Sequence, residues 1–366
     1  MPVAVQTATS EAIADPVGAI KSALASTDLS ANSSSALRLF SNFDSTPSIG
    51  TEFRAYSPDG KPVLSIRQVL EDETKLRALG RLVSERGVVF FRDAVLSPED
   101  QKVLVHKLGL HGGKPESSTL HIHPLTLEGS ELGDEISVIS NDFVFDPKVK
   151  RDDHKNLNRI QGNKAWHSDI TFENHPSDYA SLQIRDLPSL GGDTIWASAY
   201  EAYDRLSPAY RAFLEPLTAT HTGQNFIDQA RKAGVTFREH RGSPANVGQH
   251  LSTVHPVIRT NPVTGWKGLF VNSGFTKRIN ELTPAESEYT LRYLFDHISA
   301  NHDLQVRFRW EANSLAIWDN RSTFHAATYD VEEGDKRTGT RSVSIGERPY
   351  FDPQSVSRRE GLAANK

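Results

Sequence analysis

The 366-residue chain contains no cysteine, which removes disulfides, thiolate zinc sites, iron–sulfur clusters and cysteine nucleophiles together. Any bound metal must be held by histidine and carboxylate. No apolar run approaches the roughly 18 residues of a membrane span, and there is no long basic block. With a net charge of −5, the chain lacks the counter-charge that nucleic acid or an anionic membrane surface requires, so neither is expected as a partner. The first thirty residues carry one basic side chain, Lys21, and lack the basic-then-apolar order of a secretory signal. The closing Ala364-Asn365-Lys366 matches no common retention or peroxisomal ending. A cytoplasmic location is expected.

Hydrophobic residues make up 37% and charged residues 24% of the chain, enough apolar material for a sizeable core. Residues 1–46 are rich in Ala, Ser and Thr with little apolar periodicity, and read as a flexible arm before a single domain over 47–366. Leu70, Leu76, Leu79 and Leu82 recur at helical spacing, with Gly87 as a stop. Val88–Phe91 then reads as a buried strand. Ser97-Pro98-Glu99-Asp100 opens a helix to about Leu110, with an N-cap serine, proline at the first helical position and acids in the first turn.

Beyond it, short strand-like runs dominate. They cover 136–139, 165–172, 179–184, 194–197, 254–259, 269–271, 304–308, 315–318 and 340–345, mostly bounded by Gly, Pro, Asn or Asp. Helical patterns interrupt them at about 199–217, 226–233 and 284–298. Many short strands with few helices predict a mainly β fold, a sandwich or jelly roll with helices on one outer face. The polar stretch 145–158 reads as a long surface loop suited to act as a lid.

His167-Ser168-Asp169 lies in the strand-like segment WHSDITF, where a two-residue period sends His167 and Asp169 to one face. With 14 histidines and 46 acidic residues among 366, about two such His-x-acid matches arise by chance. A strand histidine beside a surface carboxylate therefore explains the motif as well as a metal does. A two-histidine, one-carboxylate site needs a second imidazole and leaves coordination positions open for reactants. His325 is the candidate, although it also fits a hydrogen-bonded core histidine. Downstream, Arg337 and Arg341 are four residues apart and share a face on an extended strand. Two guanidiniums beside a metal suit a dicarboxylate co-substrate and an acidic substrate, whereas salt bridges to Glu332, Glu333 or Asp335 are the plainer alternative.

Six motifs in order resemble the taurine dioxygenase family of Fe(II)/2-oxoglutarate-dependent oxygenases. They are LHIHP at 120–124, NKAWHSDITF at 163–172, LPSLGGDTIWAS at 187–198, HPVIRTNPVTGWKGLFVNSGFTKRI at 255–279, LAIWDNRSTFH at 315–325 and KRTGTR at 336–341. The resemblance implies a double-stranded β-helix, or jelly roll, with helical insertions on the outer face and Fe(II), 2-oxoglutarate and O2 as cofactor and co-substrates. By motif it implies that His167, Asp169 and His325 hold the iron and that Thr194 and Arg337 hold the distal carboxylate of 2-oxoglutarate. It places His123, Asn163, Phe275 and Arg341 around the substrate, His123 and Arg341 where the taurine enzyme grips a sulfonate.

Each of these has a plainer reading: Thr194 as a β-branched residue after a Gly-Gly-Asp turn, Phe275 as a core aromatic, His123 as a strand histidine. Thr126 stands where the taurine enzyme has a tyrosine near the substrate amine, and the loop before the HSD motif is longer. The implied reaction oxidises a C–H bond of a small anionic molecule. An alkyl sulfonate or sulfate ester would yield an aldehyde with sulfite or sulfate; an amino acid or other carboxylate is the alternative, and a non-catalytic anion-binding jelly roll a third. Members of the family are often homo-oligomers, which the resemblance extends to this chain.

Overall fold

The computed structural model describes residues 34–126, 129–141, 162–328, 330–332 and 334–364. The loop expected at 145–158 and residues 1–33 of the expected arm lie outside the described residues.

The larger layer comprises β1 (Asn42–Asp44), β2 (Thr51–Phe53), β3 (Val88–Phe91), β4 (Ile136–Ser140), β5 (Ser177–Asp186), β13 (Leu315–Asp319) and β15 (Thr338–Ile345), ordered β1-β2-β3-β13-β5-β15-β4. Against it lie β6 (Thr194–Ser198), β12 (Gln305–Phe308) and β14 (Thr323–Ala327), ordered β12-β6-β14. A further three-stranded sheet joins β7 (Thr218–Thr222), β8 (Ser252–Pro256) and β11 (Thr276–Ile279), and β9 (Ile258–Thr260) pairs with β10 (Lys267–Leu269).

Residue alternation explains why β3 is buried along its whole length. Val88 and Phe90 point inward with Leu182, Trp196, Phe308, Trp318 and Val343, and Phe90 stacks on Phe308 with ring centroids 4.0 Å apart. Val89 and Phe91 point the other way, onto Leu79, Leu82, Leu104 and Leu108. Those leucines belong to α2 (Glu73–Arg86) and α3 (Pro98–His111), which follows the short α1 (Ile66–Leu70) and α2 across the outer face of the larger sheet. The expected Ser97 cap is present as a capping box with Asp100.

On the opposite outer side, α4 (Ala199–Asp204), α5 (Pro208–Leu214) and α7 (Pro284–Ser299) bury Ala202, Leu214, Leu291 and Leu294 in a separate core with Ala197 and Phe324 of the smaller sheet. Helices α6 (Gln224–Ala233) and α8 (Arg358–Ala364) complete the set. The architecture is the jelly roll with helical additions, and the helices cover both layers rather than one.

Other departures have local causes. Residues 34–46 are not a free arm: a 3-10 turn at Ser34–Leu39 buries Leu37, and β1 pairs with β2. Such short pieces leave no periodicity to read. The helix expected over 199–217 is two helices, because Ser207 caps a new start with Pro208 at its first position. The run 254–259 is divided between β8 and β9.

The turn between β13 and β14 is fixed by buried charge. Arg321 donates to both Asp319 carboxylate oxygens at 2.8 and 2.9 Å, and Ser84 Oγ donates to Asp319 at 2.7 Å. This turn carries Asn320 to the mouth of the sandwich. Phe90→Ala, which opens a cavity between the two sheets, is expected to lower unfolding free energy by about 3–5 kcal/mol in urea titration. Half-exposed Val103→Ala on α3 should stay within about 0.5 kcal/mol of the parent.

Candidate metal and co-substrate site

His325 sits mid-strand on β14, opposite Trp196 of β6. The segment 165–172, expected as a strand, makes only one bridge: His167 N–H donates to His325 carbonyl at 3.0 Å and His325 N–H returns to His167 carbonyl at 2.8 Å. The chain then turns, with Ile170 at φ 50°, and Asp169 N–H donates to Asn320 Oδ1 at 3.0 Å. Asn320 is itself held by donating to Ser177 Oγ at 2.9 Å and accepting from the Trp318 indole at 3.1 Å.

Bridge and turn together bring ligand atoms of His167, Asp169 and His325 within 4.8 Å of one another. His167 Nδ1–H donates to the Ala165 carbonyl at 3.0 Å, so Nε2 carries the available lone pair. Buried Asp169 Oδ2 and His325 Nδ1 have no hydrogen-bond partner. Leaving such atoms unpaired costs about 1–3 kcal/mol each; a divalent cation would remove that cost at Asp169 Oδ2, while on His325 it is Nε2, 3.9 Å from Asp169 Oδ1, that faces the carboxylate. Burial, and for His325 the neighbouring His167, drives both imidazoles below their usual range, His325 to about 3. Burial alone would raise the Asp169 carboxyl, but Arg341 and the two imidazoles outweigh it and hold it at about 2. Neutral nitrogens and an ionised carboxylate form the donor set that Fe(II) takes.

The larger sheet supplies the positive charge. Arg337, just before β15, is buried; its Nε donates to the Gly192 carbonyl at 2.7 Å and its Nη2 to Thr194 Oγ1 at 3.3 Å. Gly192 has φ +70°, and a Cβ there would fall 2.8 Å from Arg337 Cδ, so glycine is required for the arginine to lie across it. Thr194 Oγ1 also accepts from the Trp310 indole at 3.1 Å. With two N–H groups donating to it, the hydroxyl keeps its own proton to donate. Guanidinium and hydroxyl together suit a carboxylate.

Arg341, an even number of residues further along β15, reaches the triad itself: Nη1 donates to Asp169 Oδ1 at 2.7 Å. Its Nε is buried without a partner. Half-buried His123 accepts from Leu125 N–H at Nδ1 and meets Phe226 edge-to-face at 5.0 Å. Phe275 stands edge-on to His167 at 5.9 Å and to Phe172 at 5.0 Å. Asn163 is not drawn in with the others. It is exposed on a 3-10 turn, where its backbone carbonyl accepts from Ser273 Oγ at 2.9 Å.

The supporting residues Asn320, Trp310, Gly192 and Phe226 were not foreseen, since each matters through contacts between distant elements. Asn320→Ala is expected to weaken divalent-metal affinity about 10- to 100-fold by Mn(II) titration. His167→Ala should remove specific binding altogether.

The family profile described as taurine catabolism dioxygenase TauD, TfdA family matches residues 42–343. The alpha-ketoglutarate-dependent dioxygenase btcD of Neocamarosporium betae is 44% identical, the match covering 89% of this chain and 96% of that one. An alpha-ketoglutarate-dependent sulfonate dioxygenase of Saccharomyces cerevisiae is 31% identical over 84% of this chain and 67% of its own length. The crystal structure of a taurine dioxygenase from Burkholderia xenovorans superimposes with a TM-score of 0.62 at 25% identity, covering 87% of this chain and 94% of that one. The chain belongs to the taurine catabolism dioxygenase TauD, TfdA family and is an Fe(II)- and 2-oxoglutarate-dependent dioxygenase.

Proposed function

We propose that the enzyme oxidises the carbon next to the sulfur-bearing head of an alkyl sulfonate or alkyl sulfate ester with an apolar tail, yielding an aldehyde and sulfite or sulfate. The observation that carries this is the grouping of His167, Asp169 and His325 with Arg341 of the opposite sheet bonded to Asp169 and Phe275 set against His167. His167, Asp169 and His325 would hold Fe(II). When bound with 2-oxoglutarate and O2, the iron supplies an oxidant able to take a hydrogen atom from an unactivated C–H bond.

The protein's own residues orient and exclude. Arg337 and the Thr194 hydroxyl would fix the distal carboxylate of 2-oxoglutarate by charge-assisted hydrogen bonds. Arg341 and His123 would hold the substrate's anionic head. Its tail would lie along Ile170, Phe172, Phe226, Phe275 and Leu251, an apolar cluster that meets His123 and His167 through its phenylalanines. The acids flanking this cluster in sequence are already engaged, Asp169 with Arg341 and buried Glu173 with buried Arg241. Thr126 replaces the tyrosine expected near a substrate amine. Both features favour an alkyl tail over the ammonium of taurine.

Oxidation balances with one 2-oxoglutarate and one O2 consumed, and succinate and CO2 released. The hydroxylated product then breaks its C–S or C–O bond. The electron pair leaves with sulfite or sulfate, the hydroxyl proton is lost, and the carbonyl remains. None of the described helices is long and apolar enough to cross a membrane. We place the activity in the cytoplasm, which supplies 2-oxoglutarate and keeps iron reduced.

The test is formation of succinate, with sulfite from a sulfonate or sulfate from a sulfate ester, by the Fe(II)-loaded enzyme with hexanesulfonate, hexyl sulfate, taurine and hexanoate. Hexanesulfonate or hexyl sulfate should stimulate succinate formation well above taurine. Stimulation by hexanoate alone would move the assignment to carboxylate oxidation, and none across the panel contradicts it. Arg337→Met should raise the 2-oxoglutarate KM about 10- to 100-fold, the loss of a charge-assisted contact, in the same assay.

A further inference from the structure

His121, two residues before His123 in LHIHP, is 1% exposed, and neither of its ring nitrogens has a hydrogen-bond partner. Two other buried imidazoles are tied: His221 Nδ1 to Thr171 Oγ1 at 3.0 Å, and His255 Nε2 to the Glu173 carbonyl at 3.0 Å. His325 faces Asp169 through Nε2 at 3.9 Å, and only its other nitrogen, Nδ1, lacks a partner. His121 is tied at neither of its nitrogens. Burying them costs about 1–3 kcal/mol per group unless a ligand or water meets them.

The position of His121 is fixed. Leu120 bridges Ser344, and His121 N–H donates to the Val343 carbonyl at 2.8 Å, fastening the segment beside β15, which carries Arg341. Alternate residues of an extended segment share a face, and the rings of His121 and His123 meet edge-to-face with centroids 6.1 Å apart. The charges of Arg341, Asp169 and Arg241 all act on His121, and burial together with His123 and Arg341 keeps it neutral. A neutral imidazole offers one N–H donor and one acceptor.

We infer that His121 is a further substrate-binding residue, donating alongside Arg341 and His123 to the anionic head. This rests on the sulfonate or sulfate reading above and sharpens it. One donor from each of His121, His123 and Arg341 would match the three terminal oxygens of a sulfonate or sulfate, whereas a planar carboxylate with two oxygens would leave one donor unmet. Discrimination between heads then comes from the buried donor left unpaired by the wrong ligand.

The experiment is calorimetric titration, without oxygen, of the Fe(II)–2-oxoglutarate-loaded enzyme and its His121→Phe and His121→Gln variants with hexanesulfonate and with hexanoate. Phenylalanine fills the ring's volume without its nitrogens; glutamine restores a donor. His121→Phe should weaken hexanesulfonate binding about tenfold or more, as expected for a lost hydrogen bond to a charged group, and leave hexanoate nearly unchanged. His121→Gln should recover part of the loss.

Because the phenylalanine removes orphaned polar atoms, its Tm should equal or exceed the parent's, with the visible absorption of the iron–2-oxoglutarate chelate unchanged. Hexanesulfonate affinity within twofold of the parent overturns the assignment, as does a lower Tm for His121→Phe, which would make the imidazole structural. Equal loss for both ligands overturns the matching of three donors to three oxygens. If the parent enzyme binds neither ligand, the failure lies with the sulfonate reading itself.

Discussion

The open end of this jelly roll depends on the two-bond bridge between His167 and His325. It is short, and no strand continues from it on the His167 side. Yet it sets the half-buried His167 and the buried His325 side by side, ring centroids 4.2 Å apart. The turn at Ile170 then swings the Asp169 carboxylate to the same point, and Asn320 catches its backbone N–H. The cost of three polar groups buried at one place is met only when something positive lies between them.

Positive charge comes from two directions, and each source does a different task. Arg341 crosses from β15 to pair with Asp169, which keeps the carboxylate ionised and oriented while its Nε still lacks a partner. Arg337 instead lies over Gly192 and donates to the Gly192 carbonyl and to Thr194. The same strand thus serves the metal's carboxylate with one arginine and an incoming carboxylate with the other. The spacing of the two is the β period read across four residues.

Much of this was legible in the chain because it lies in residues whose types are expensive to place at random: His167, Asp169 and His325, then Thr194 with Arg337. The strands β5, β6, β12, β13 and β15 and the helices α3 and α7 follow from alternation, caps and proline positions. What escaped was set by tertiary contact. Ile170, Thr171 and Phe172 have strand propensity, but only His167 has a strand neighbour, so the rest turns. Residues 34–46 anchor through one buried leucine and a three-residue strand, too little to leave a period. Arg341 was expected on the substrate alone, and its bond to Asp169 depends on a register no motif contains.

The central claim is that His167, Asp169 and His325 hold one iron with room left for the keto acid. Adding Fe(II) and 2-oxoglutarate to the purified protein without oxygen should produce the visible charge-transfer absorption of the iron–keto-acid chelate, saturating at one iron per chain. His325→Ala should show none. An absorption of equal intensity in His325→Ala, or saturation at a different stoichiometry, would contradict the account.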